Sequence, residues 1–158
     1  MSIIEKENMK FLDGLNKDYI VIESDRINEY IDYIKVNEIK SIYFCHSYYR
    51  EQNLDLLKEL IFIENINIGS ETIIDFTGLY CLKNLKTLLI REINGKLDFN
   101  FLTSIENLTI SINKNFLNWN QLSNLKELNL YKYNPKSKNL QELKNFKKLK
   151  NLQLYDLI

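Results

Sequence analysis

Six times along this chain the same apolar frame recurs: a residue, two intervening positions, a second residue, one position, a third. It reads Ile39 xx Ile42 x Phe44, Ile63 xx Ile66 x Ile68, Leu85 xx Leu88 x Ile90, Ile105 xx Leu108 x Ile110, Leu125 xx Leu128 x Leu130 and Leu149 xx Leu152 x Leu154. The central residues follow one another at intervals of 24, 22, 20, 20 and 24 residues. Two more positions repeat upstream: Tyr33, Leu57, Leu79, Phe99, Trp119 and Leu143, then Val36, Leu60, Leu82, Leu102, Leu122 and Phe146. A three-residue step fits neither an amphipathic helix, which mixes three- and four-residue spacings, nor a strand, which needs two. It fits chain that winds inward and then enters a short strand, where the last two frame residues supply the alternation of two. One such turn cannot bury its apolar side alone, so successive turns must stack.

The pattern LxxLxxLxxLxL resembles the leucine-rich repeat family, in particular its short bacterial, internalin-like versions. The resemblance covers residues 25–158 as six repeats. Ile20 and Ile22 lie 22 residues ahead of Ile42 and Phe44, so Tyr19 to Glu23 reads as a degenerate first strand, with Phe11, Leu12 and Leu15 leading into it. The resemblance implies an α/β solenoid in one domain over 1–158, with a parallel concave sheet of six or seven short strands and a mostly irregular or 3₁₀ convex side. Residues 1–24 would form an N-terminal, helical cap. The family's asparagine, expected three residues after the last frame position, is matched only by Asn113, with Asn94 and Asn134 one place late. That side chain satisfies backbone groups at the turn, so its absence implies irregular corners.

Around the repeats, Met1 to Leu15 reads as a short helix or a packed tail covering the apolar end of the stack. Ser24 and Asp25 are placed to cap a helix over Arg26 to Lys35, whose Ile27, Tyr30, Ile31 and Ile34 form one apolar stripe. The stretches His46 to Asn53 and Lys132 to Asn139 lengthen two intervals and belong to rim loops. Beyond the last strand, Asn151 to Tyr155, no cap is written. Either Asp156 to Ile158 fold back over the end, or this edge docks on a second copy or on a partner.

Composition narrows the chemistry. With 21 basic and 21 acidic residues the net charge is zero, so no field draws nucleic acid or an anionic membrane. Neither a leader pattern nor an apolar run of membrane-spanning length is written, which predicts a cytoplasmic protein. Four isolated glycines make no phosphate loop. His46, Cys45 and Cys81 lack ligand spacing, and adjacent strand residues such as Cys45 and His46 point to opposite faces. The cysteines read as reduced thiols. No catalytic group, metal or cofactor is expected.

What remains is a surface. If Leu88 and Ile90 point inward, their neighbours point into the concave face, and the same holds in every repeat. The candidate protein-binding residues there are Tyr43, Asn67, Leu89, Arg91, Thr109, Glu127, Asn129, Tyr131, Gln153 and Tyr155, joined at the rim by His46, Tyr48, Tyr49 and Arg50. Tyrosine and arginine among short polar groups make good protein contacts, because the ring offers area with few rotors. For the Asn and Thr positions a second explanation stands beside this one: like side chains on stacked parallel strands hydrogen-bond to one another as ladders. Trp119 falls in a core register, and the lysines 83, 86, 126, 147, 148 and 150, interrupted by Glu64, Glu106, Glu127 and Glu142, read as a solvated flank. The expected function is a bacterial immunity protein that binds and neutralises a cognate toxin domain, with an intracellular adaptor for another protein as the alternative.

Overall fold

The three-residue step becomes a 3₁₀ turn and the two-residue step a strand. At 3.0 residues per turn a 3₁₀ helix keeps positions i and i+3 on one side. Asp55–Glu59, Thr77–Cys81, Phe99–Phe101, Trp119–Gln121 and Gln141–Asn145 each form one. The Leu57 N–H donates to the Leu54 carbonyl and the Leu60 N–H to the Leu57 carbonyl, and Leu79 and Leu82 repeat the pattern one turn later. The side held inward by this geometry buries Leu57, Leu79, Phe99, Trp119 and Leu143, together with Leu60, Leu82, Leu102, Leu122 and Phe146.

The computed structural model describes residues 2–13, 18–134 and 140–155. Its strands are β1 (Ile3–Lys6), β2 (Met9–Leu12), β3 (Tyr19–Val21), β4 (Ser41–Cys45), β5 (Asn65–Gly69), β6 (Thr87–Ile90), β7 (Leu97–Asp98), β8 (Asn107–Ser111), β9 (Phe116–Leu117), β10 (Glu127–Tyr131) and β11 (Asn151–Tyr155). One α-helix among the described residues, α1 (Ile27–Val36), joins β3 to β4. Nine strands make a mixed sheet in the order β1-β2-β3-β4-β5-β6-β8-β10-β11, and β7 pairs with β9 apart from it. From β3 onward every neighbour in the large sheet is parallel. Its register runs Ile20, Ile42, Ile66, Leu88, Leu108, Leu128, Leu152, the frame of the sequence laid side by side. The first six of these are buried, whereas Leu152 on the last strand is 36% exposed.

The N-terminal cap is not a helix. β1 and β2 form an antiparallel hairpin, and β2 pairs antiparallel with β3, which raises the sheet from the expected six or seven strands to nine. Glu7 and Asn8 take φ values of 51° and 63°, the two left-handed residues that a tight two-residue hairpin turn needs. Met9 and Phe11 then reach the main core, while Ile3 and Leu12 lie across the sheet from them.

Helix α1 forms as expected, burying Tyr30, Ile31 and Ile34, but neither Ser24 nor Asp25 caps it with a side chain. Ser24 Oγ accepts the Arg50 N–H instead, at 2.8 Å. Val36, expected inward, is 80% exposed. An α-helix advances 3.6 residues per turn, so Ile34 takes the place that a 3₁₀ turn would have given to Val36. The corners are tied by amides: Asn94 Nδ2 donates to the Glu71 carbonyl and Asn115 Nδ2 to the Ile93 carbonyl. Leu15, the stretch 135–139 and the expected fold-back of Asp156 to Ile158 lie outside the described residues. No helix among the described residues is long and apolar enough to cross a membrane.

Candidate functional site

Strand alternation sends the side chains between the frame residues to the face opposite the main core. Tyr43, Asn67, Leu89, Thr109, Asn129 and Gln153 are direct neighbours in one row of the sheet. Glu127, Tyr131 and Tyr155 lie in the rows beside it, and Arg91 follows the end of β6. The row divides into three zones of different chemistry.

At the N-terminal end the face is closed. Leu12, Tyr19 and Val21 are buried in a second apolar cluster, packed by Ile3, Tyr43, Cys45 and Tyr48. Tyr19 and Val21, which the degenerate first frame turns to the concave face, are covered there by the side chains of Ile3 and Leu12 from the hairpin and of Tyr43 and Tyr48. Lys10 stands over the Tyr48 ring and pairs with Glu23 at 3.0 Å. Of the rim residues, His46 and Arg50 are exposed and Tyr48 is half-buried. Tyr49 is a correction: it is 1% exposed, its ring edge-on to Phe44 and its hydroxyl donating to the Asn53 carbonyl, so it presents no surface to a partner. The loop turns back under β4 and uses one of its two tyrosines as core.

Toward the C-terminal end the ladder explanation fits. Asn107 Nδ2 donates to Thr87 Oγ1 and Asn129 Nδ2 to Thr109 Oγ1, while Asn151 Nδ2 reaches Glu127 Oε1; Asn65 does the same to Ser41 Oγ. Each amide points to the strand before it. Thr109, Glu127 and Asn129 are thus occupied within the sheet, and Gln153 accepts the Tyr155 hydroxyl. Beside the ladder, Lys86 pairs with Glu64 and Lys126 with Glu106, at 2.6 and 2.8 Å, so these two flank lysines are neutralised by neighbours of opposite sign, whereas Lys83 and Lys148 bond a carbonyl and an amide oxygen.

Between these zones lies a groove of about 400 Å³ lined by Tyr43, Asn67, Ile68, Gly69, Glu71, Leu89, Arg91 and Glu92. Gly69 shapes its wall, since a Cβ there would come within 2.9 Å of the Tyr43 hydroxyl oxygen. Burial, reinforced by the Cys45 thiol, pushes the Tyr43 phenol up to about 12, so it is a neutral ring at physiological pH. Arg91 lies over the Tyr131 ring, 4.7 Å from its centroid, and Tyr131 stacks on Tyr155 at 4.5 Å and 9°. A smaller cavity of about 250 Å³ adjoins, lined by Glu71, Glu92, Asn94, Ser111, Asn113 and Lys132 among others, with Lys132 paired to Glu92.

The structure therefore brings together Tyr43, Asn67, Leu89 and Arg91 in one groove and sets Tyr131 and Tyr155 beside it. None of the rim residues His46, Tyr48, Tyr49 and Arg50 lines that groove, although Tyr48 packs in the same apolar cluster as Tyr43. Glu71, Glu92 and Lys132 went unnoticed in the sequence because they follow the strands, where alternation by two no longer assigns a face. No protein-family model and no curated protein matches the sequence.

Proposed function

We propose that this chain is a single-domain leucine-rich-repeat solenoid and a non-catalytic protein-binding module, acting as an immunity protein that binds and neutralises a toxin domain in the cytoplasm. The observation that carries the proposal is the Arg91, Tyr131, Tyr155 stack beside the Tyr43 and Leu89 groove. The remainder of the face spends its polar groups on its own ladders, whereas this patch offers aromatic and cationic area held in one geometry. A cation stacked on an aromatic ring is restrained before binding, so little freedom is lost on contact, and Tyr and Arg are the residues in which binding energy concentrates. In-register parallel strands joined by 3₁₀ turns support the solenoid.

The experiment is co-expression with the product of the neighbouring reading frame. An immunity protein restores growth to cells that express a toxic neighbour and co-purifies with it. Binding to a non-toxic neighbour, with no effect on growth, would instead favour the adaptor.

A further inference from the structure

We infer that the groove between Tyr43 and Arg91 receives an acidic loop of the partner, with one Asp or Glu carboxylate on the Arg91 guanidinium and an adjoining peptide group on the Asn67 carboxamide. The inference rests on the protein-binding proposal and gives its contact a chemistry.

Asn67 is the first observation. It is only 9% exposed and lines the groove, yet its carboxamide has no hydrogen-bond partner among the described residues. Its neighbours across the sheet are Tyr43 and Leu89, so it lacks the short hydroxyl neighbour that Asn129, in the same row, finds in Thr109. The carboxamide is not among the sealed, unbonded polar atoms but opens into the groove, where its donors and acceptor can meet a ligand. A peptide group, with one N–H and one C=O, matches that pair.

Arg91 is the second. Two glutamates line the same groove, but no carboxylate lies within ion-pair distance of Arg91 among the described residues. Its guanidinium rests on the Tyr131 ring instead, which orders the planar group and leaves its N–H edge available. A carboxylate is the group that such an edge grips through two parallel bonds. Leu89 and the Tyr43 ring line the groove beside it, limit water there and strengthen those bonds. Glu92 is held by Lys132, and Glu71 at the mouth has no ion pair among the described residues. The groove thus admits one carboxylate but repels a polyanion, which separates an acidic loop from a nucleic-acid backbone.

The opposing charges make the sign testable. The full-length protein, isotope-labelled, is titrated with acetyl-Gly-Asp-Leu-Gly-amide and with its Asn and Lys counterparts, following the Asn67 side-chain amide and the Arg91 Nε–H by NMR. The Asp peptide is expected to give saturable shifts at both groups at millimolar concentration, and the Asn peptide to bind about tenfold more weakly or worse. Arg91→Gln should abolish the preference, and Glu71→Gln should tighten the Asp peptide. Each variant is first shown to keep the amide spectrum and melting temperature of the parent, and Arg91→Lys, which keeps the charge but not the fork, should fall between. Equal binding of the Asp and Asn peptides, preference for the Lys peptide with loss in Glu71→Gln, or no saturable shift would overturn the inference. If the peptides fail while substitutions at Arg91 and Tyr131 still weaken a protein partner, the acidic-loop site falls and the binding face stands. If the Asp peptide binds as expected but no protein does, the carboxylate site stands and the protein-binding proposal falls.

Discussion

Glu23 gathers three partners where the hairpin, β3 and α1 meet. Lys10 Nζ lies at 3.0 Å, Arg26 Nη1 at 3.4 Å, and the Tyr30 hydroxyl donates at 2.8 Å. Burial opposes ionisation of this carboxyl, but the bonds from Lys10 and Tyr30 outweigh it and hold the group below the usual carboxylate range. A group whose folded pKa lies below its unfolded value, about 4.3 for glutamate, contributes stability that is complete above the unfolded value and is lost as pH falls through the folded one. Glu23→Gln is therefore expected to cost about 1.5–3 kcal/mol near neutral pH, with the gap to the parent closing under acid. Denaturant titrations across that pH range check this, and a gap that stays constant into acid would exclude it. At the same scale, Tyr48 and Tyr49 show why single residues in the rim loop were hard to place from sequence. Without a period of two or three nothing distinguishes the tyrosine beneath Lys10 from the one packed on Phe44. Asn67 presents the converse case: its row and its neighbours Tyr43 and Leu89 were legible from the aligned frames, but not that its carboxamide would find no partner between them.

Among the elements, the strands β4, β5, β6, β8, β10 and β11 fall where the frame residues placed them, because a strand buried on one side writes its alternation plainly. The degenerate frame at Tyr19 also became a strand, β3. The hairpin before it did not announce itself. Its apolar residues at 3, 4, 9, 11 and 12 keep no single period, and its turn is Glu7 and Asn8 rather than a glycine-bearing pair. Asn8 at φ 63° tests the turn directly. Asn8→Val should cost about 1–2 kcal/mol, because a β-branched residue is strained in the left-handed region. Asn8→Gly should be neutral or slightly stabilising in the same thermal melt. Equal melting of the two variants would contradict the hairpin.

For the molecule as a whole, one apolar core runs from Met9 to Phe146, and each turn of chain meets chiefly the turns before and after it. Leu108 sits near the middle, in register with Leu88 and Leu128 and 1% exposed. Leu108→Ala is expected to cost about 2–5 kcal/mol by equilibrium unfolding, and a melting temperature equal to the parent's would refute the register. That core was legible in the sequence, since stacking follows from a repeated frame; the groove was legible only in part, since Tyr43, Asn67, Leu89 and Arg91 follow from the aligned frames whereas Glu71 and Glu92 lie beyond the strands. On the proposal above, the open face at Arg91 and Tyr131 holds a protein partner. The most direct test is calorimetric titration of the neighbouring reading frame's product into the parent protein and into the double variant Arg91→Glu with Tyr131→Ala. Binding weakened by about 2–4 kcal/mol, with the melting temperature preserved, is the predicted result; unchanged affinity, or no interaction with the parent, would contradict it.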